Sequence, residues 1–180
     1  MKILEVRCDV QNYAAIVMKE GFPVFDGARW GSRFPKLSAR LSDDPVGDFA
    51  YFTAGVVACN EHVLSLLGNK VMSEIEVLPI GLQSDQKWYL LNVVNVIDCL
   101  DEGRSEIKYF PDGKKILRII KYSFREELVR DSFLFKIPQM VRTEVFATEN
   151  FQALVDEHKL KGLDLRPVGR KNTIRTKKGD

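Results

Sequence analysis

A chain of 180 residues with 45% hydrophobic and 29% charged side chains carries enough apolar material for one buried core, and this composition excludes a disordered or fibrous protein. Its net charge of +2 is uneven: Arg170, Lys171, Arg175, Lys177 and Lys178 crowd the last twelve residues, and residues 1–168 hold 22 basic against 24 acidic groups. A near-neutral body lacks the cationic face that phosphate-backbone binding demands, which argues against nucleic acid as a partner.

The N-terminal stretch Ile3-Leu4-Glu5-Val6-Arg7 has charges inside the only run that could pass for a signal, and no uncharged run approaches the ~18 residues of a membrane span. Neither a cleavable leader nor membrane insertion is expected. Cys8, Cys59 and Cys99 are odd in number and far apart, so they spell no disulfide framework and no Cys-x-x-Cys site. They read as small buried hydrophobes in a reducing compartment.

In chain order, Ile3–Val10 and Ala14–Met18 read as short strands closed by turn formers. Residues 23–48 mix glycine, proline, aspartate and serine without either hydrophobic period, and Ser42-Asp43-Asp44-Pro45-Val46-Gly47-Asp48 has the composition of an exposed loop. Asn60 is placed to cap a short helix with Val63, Leu64 and Leu67 on one face, and Gly68-Asn69 is expected to stop it in a left-handed turn. Glu74-Ile75-Glu76-Val77 alternates as a strand with one wet face should, until Pro79 ends or edges it.

Trp88–Ile97 is apolar on both alternate faces, as expected of a strand covered on both sides at the centre of a sheet. Asn92 and Asn95 interrupt it on opposite faces, where a buried amide without partners costs about 1–3 kcal/mol. Two readings stay open for them: bonds to nearby backbone at a bulge or bend, or the wall of a polar binding pocket.

Residues 105–110 and 115–122 flank Pro111-Asp112-Gly113-Lys114, a turn signal for an antiparallel hairpin. Arg125–Arg130 is one helical turn or a loop, and Phe133–Ile137 and Thr143–Phe146 read as two further strands. Thr148 opens a helix whose Phe151, Leu154 and Val155 share a face, with Gly162 just past its end, and Leu163–Arg166 returns as a last strand. The sum is an α+β fold: a single domain over residues 1–168, mainly antiparallel β-sheet with hairpins and one or two covering helices. Residues 169–180 read as a basic disordered tail.

Catalytic vocabulary is sparse. The chain has only His62 and His158, the first without a second histidine at i+4 and the second expected to pack, partly buried, on the apolar stripe of its helix. No phosphate-cradling glycine motif and no Gly-x-Ser-x-Gly turn is written here. Carboxylates gather at Asp43, Asp44 and Asp48 and again at Asp98, Asp101, Glu102 and Glu106, but their spacing matches no ion loop. No catalytic residue, metal or cofactor is assigned.

From Ile75 onward the order of features resembles immunity-protein family eleven of bacterial polymorphic toxin systems, formerly filed as a domain of unknown function. The resemblance runs through Ile75-Glu76-Val77-Leu78-Pro79-Ile80, Tyr89-Leu90-Leu91-Asn92-Val93-Val94, Asp98-Cys99-Leu100-Asp101 and Ser105. It continues in Phe133-Leu134-Phe135-Lys136 and from Glu144-Val145-Phe146-Ala147-Thr148 through Phe151 to Lys161-Gly162-Leu163. A weaker echo covers Trp30, Pro45–Asp48 and Val63–Leu67. The resemblance implies a cytoplasmic bacterial protein, made beside a secreted toxin, that neutralises this toxin by tight binding and without catalysis. The two acidic clusters then become candidate contacts for a toxin with a basic cleft, such as a nuclease. The alternative is a small-molecule binder or enzyme with a polar pocket near Asn92 and Asn95.

Overall fold

The computed structural model describes residues 1–18 and 21–168; the C-terminal basic segment lies outside the described residues. The chain begins with β1 (Ile3–Cys8), β2 (Ile16–Met18) and β3 (Ser38–Leu41), so the expected irregular stretch before Asp48 contains a strand. A tight hairpin follows, β4 (Phe49–Thr53) and β5 (Val56–Asn60), which the hydrophobic pattern alone did not disclose. Its turn residue Gly55 has φ +73, and a side chain there would collide with the Arg142 carbonyl.

Asn60 closes β5 and caps α1 (Glu61–Leu66), its Oδ1 accepting the Val63 N–H at 3.1 Å. The expected left-handed stop is absent: Gly68 has φ −73 and leads directly into α2 (Asn69–Glu74), which removes Glu74 from the predicted strand. β6 (Ile75–Leu82) runs through Pro79, which lies opposite Tyr89 of β7 (Trp88–Val93). On the other side β3 pairs with β6 only at Gly81 and Leu82, so the missing proline N–H interrupts no ladder. The hairpin is confirmed as β8 (Glu106–Tyr109) and β9 (Ile116–Lys121), and residues 126–128 form a single 3-10 turn. β10 (Leu134–Phe135) is shorter than expected, β11 (Phe146–Thr148) starts three residues later than Thr143, and α3 (Glu149–Glu157) and β12 (Leu163–Pro167) are the last elements among the described residues. Thr148 caps α3 through its Oγ1, which accepts the Asn150 N–H at 3.3 Å.

These strands stack in layers. One sheet has the order β2-β3-β6-β7-β5-β4, and a bridge between Ala15 and Tyr51 joins its two ends, so the sheet curls into a small barrel. Ile16, Phe25, Ala50, Phe52, Ala58, Leu78, Trp88 and Leu90 are among the side chains that fill it. The alternate residues of the same strands, including Val57, Cys59, Ile75, Leu91 and Val93, pack outward against Leu4, Leu134, Val145 and Ala147 and against Phe151 and Val155 of α3. β7 lies inside the sheet with both faces covered, as its continuous apolar run implies.

The second sheet, β10-β11-β1-β12, is antiparallel throughout, with β1 inserted between two strands from the far end of the chain. Its remote face meets a third core in which Ile3, Phe135 and Phe146 contact Cys99, Leu100, Ile119 and Val129. Over that core lies β8-β9, a two-stranded sheet that among the described residues pairs with no other strand. The architecture is α+β and mainly antiparallel, as expected, and among the described residues no helix is long and apolar enough to cross a membrane.

Candidate partner-binding surface

Asp43 and Asp44 are exposed on the connection from β3 to β4. That connection is shaped from below: the Ser42 Oγ donates to Asp44 at 2.8 Å and accepts the Ala15 N–H at 3.1 Å, while the Pro45 carbonyl accepts from Ala14 at 2.9 Å. Asp48 behaves differently. Its carboxylate accepts the Lys161 N–H at 2.9 Å and the Asn60 amide at 3.3 Å, and so ties the barrel to the segment entering β12. The half-buried carboxylate is taken up by these two donors and holds the loop on which Asp43 and Asp44 stand.

The second acidic cluster borders a shallow depression of about 340 Å³ lined by Asp98, Leu100, Asp101, Glu102 and Arg125. One Gln139 amide donates to both Asp98, at 3.2 Å, and Glu102, at 3.0 Å, holding the two carboxylates on one side. Arg125 stands 3.8 Å from Asp98 and Arg104 3.5 Å from Asp101, both as exposed pairs that water screens. Three carboxylates against two guanidiniums leave this rim negative. Asp43 and Asp44 belong to the barrel layer and the Asp98–Glu102 turn to the outer hairpin layer; among the described residues no hydrogen bond joins them.

Asn92 and Asn95 are structural in their contacts. Asn92, fully buried, donates to the Ala28 carbonyl at 2.9 Å and to Glu76 at 3.0 Å, and Glu76 also accepts the backbone N–H groups of Trp30 and Gly31, each at 2.8 Å. The pair pins the segment of Ala28, Trp30 and Gly31 to β6 and β7. These hydrogen bonds and Arg29 hold the Glu76 carboxyl below its usual value against the opposing effect of burial.

Asn95 donates to the Leu134 carbonyl at 3.0 Å and to Ser132 at 3.3 Å. It does line an open polar depression of about 600 Å³ with Arg29, Glu74, Asp131 and Ser132, but its amide N–H groups already have protein acceptors.

Two buried charges were not legible as such. Glu74, expected on a wet face, is 8% exposed and accepts the N–H groups of Phe133 at 3.0 Å and Leu134 at 2.8 Å, joining α2 to β10. Burial raises its pKa despite those bonds. Lys136 is fully buried, donates to the Phe25 carbonyl at 3.3 Å, and is pushed down to about 8 by desolvation. Sequence signals for either were absent, since their partners lie 59 to 111 positions away.

His62 is exposed, and so is His158, against expectation: α3 ends at Glu157, the chain turns through Lys159 at φ +52, and Leu160 takes the buried position. Cys59 and Cys99 are buried and Cys8 half-buried; burial pushes the thiols of Cys8 and Cys99 up to about 12 and raises that of Cys59 further. None is a thiolate at neutral pH. Among the described residues no group of three histidine, cysteine or acidic side chains is placed to hold a metal ion.

Residues 74–170 match the model of an immunity protein family (Imm11), over the same span from Ile75 onward that carries the resemblance in the sequence. No curated protein matches the chain.

Proposed function

The chain belongs to the immunity protein family Imm11, and from that premise we propose that it binds and neutralises one cognate secreted toxin, in the bacterial cytoplasm and without turning over a substrate. The family match carries this reading. The matched span supplies β6 to β12, the acidic turn and the exposed hairpin, while residues before it complete the barrel and add the Asp43–Asp44 loop. A stoichiometric inhibitor needs about 800 Å² of complementary surface per partner and a few anchors, and requires no reactive group.

On this proposal residues 1–168 act as one domain. Asp43 and Asp44, held by Asp48, and the rim Asp98, Asp101 and Glu102 present negative charge to a toxin whose cleft is basic, such as a nuclease. The small-molecule alternative is weakened because the amide N–H groups of Asn92 and Asn95 already donate to protein acceptors, although the buried Asn92 Oδ1 has no partner.

The test is co-expression with the toxin encoded by the neighbouring gene. Copurification in equal amounts with survival of the cells is expected; toxicity unrelieved by this chain, with no complex, would sink the reading. Reversing Asp43, Asp44, Asp101 and Glu102 to lysine together is expected to slow association roughly tenfold or more at low salt, where steering is strongest. Unchanged kinetics would remove this surface.

A further inference from the structure

The β8-β9 hairpin is the least covered part of the described chain. Its inner face is committed: Ile107 and Ile119, cross-strand partners, pack with Ile116 into the third core. Its root is also committed, because Ser105 Oγ donates to the Asp101 carbonyl at 2.7 Å and accepts the Ser123 N–H at 3.0 Å, and Leu100 bridges Phe124. Everything else faces water. Tyr109 is 41% exposed, Phe110 45%, Leu117 42% and Ile120 46%. Four large apolar side chains within twelve residues are a concentration that water does not favour, and aromatic residues of this kind form the anchors of protein interfaces.

Charge on the same hairpin is one-sided. Lys108, Lys114, Lys115, Arg118 and Lys121 stand against Glu106 and Asp112, while residues 1–168 as a whole carry more acids than bases. Among the described residues none of these five cations has an ion-pair or side-chain hydrogen-bond partner. Lys108 and Arg118 are opposite one another across the strands, where like charges repel. The free edges of β8 and β9 add unpaired backbone donors and acceptors. Two acids lie close, Glu106 opposite Lys121 and Asp112 at the turn, but the five cations still leave the hairpin positive, and cations beside exposed apolar side chains fit a partner that is apolar at its centre and acidic at its rim.

We infer that this hairpin is a toxin-binding arm and that it takes an acidic, apolar protein face. The inference rests on the proposed toxin-binding function and deepens it. A protein fits better than a nucleic acid for two reasons. Leu117 and Ile120 are aliphatic and offer bases nothing to stack on. At the hairpin root, Asp98, Asp101 and Glu102 would repel a phosphate chain laid along it. The arm and the acidic rim then form one bipolar surface, negative at the root and positive toward the tip, that admits a partner in one orientation.

The experiment uses the full chain and the purified toxin domain from the neighbouring gene. Wild-type binding is measured first, and its absence overturns the proposed function and this inference together. Given binding, the triple variant Lys114→Glu, Lys115→Glu, Arg118→Glu is expected to weaken it at least 30-fold, with the loss shrinking at high salt. Tyr109→Ser with Phe110→Ser is expected to weaken it at least 10-fold at every salt concentration. Circular dichroism and a thermal melt establish that both variants fold; should the charge variant fail to fold, the exposed pair at the tip decides alone. Wild-type affinity in folded variants overturns the arm while leaving the toxin-binding function standing. Retained toxin affinity together with lost binding to single-stranded DNA assigns the hairpin to nucleic acid and overturns it as well.

Discussion

Two hairpins in this molecule turn alike and are buried differently. β4-β5 turns at Gly55, then disappears into the barrel: Ala50, Phe52, Val56 and Ala58 face its interior and Phe49, Val57 and Cys59 face the next core. β8-β9 turns at Gly113 and buries one side only, leaving the other and the tip in water. In β4-β5 every side chain but Tyr51, which is 41% exposed, and the half-buried Thr53 is committed to the interior, whereas a pair covered on one face has a surface free for recognition. The contrast separates positions that should govern folding from positions that should govern binding.

Phe52 tests the closed hairpin most severely. It is 1% exposed and packs edge-on against Phe22 and Phe25, so Phe52→Ala is expected to cost about 3–5 kcal/mol in urea unfolding, with the cavity adding to the lost transfer energy. A loss below 1 kcal/mol would mean that the barrel is not a packed core.

The open hairpin is anchored by Tyr122, whose hydroxyl donates to Glu144 just before β11. Burial, and next Glu5, raise the Glu144 carboxyl from 4.5 to about 7, with the Tyr122 hydrogen bond and Arg7 opposing. The fold therefore holds a proton that the unfolded chain has released. This contribution is complete below pH 4.5 and disappears as pH rises through 7, worth up to about 3 kcal/mol. Glu144→Gln is expected to flatten that fall in a pH series of unfolding midpoints; an unchanged slope would place the titration elsewhere.

Smallest of all should be the stability change at the hairpin tip. Tyr109→Ser with Phe110→Ser is expected to shift unfolding by no more than about 0.5 kcal/mol, the range of surface substitutions. A larger loss would make the tip part of the core and erase the distinction between the two hairpins.

What could be read from the sequence follows the same division. The open hairpin shows in Pro111-Asp112-Gly113-Lys114, because a turn writes its chemistry locally, and the caps Asn60 and Thr148 are legible for the same reason. β7 shows as a continuous apolar run. β4-β5 is equally apolar, and because its one exposed residue, Tyr51, is itself aromatic, the sequence has no polar alternation to betray the strands, and only Gly55 marked the turn. α2 is six residues long with no side-chain cap; burial of Val71 and the clamp from Glu74 to β10 hold it, and both depend on distant residues. Glu76 reads as a solvated strand residue until the crossing segment at Trp30 and Gly31 is seen to donate to it. The acidic loops were visible as charge, but the tie from Asp48 to Lys161 and Asn60 was not.

β1 is joined to its neighbours by residues far along the chain: Ile3 pairs with Thr148 and Cys8 with Leu163. Contacts of such long separation carry a loop-closure cost before they return any stability, so the second sheet should form late when the denatured protein is refolded. Until it does, β11 and β12 hold an open slot where β1 belongs, and the pace of refolding is set by the topology itself.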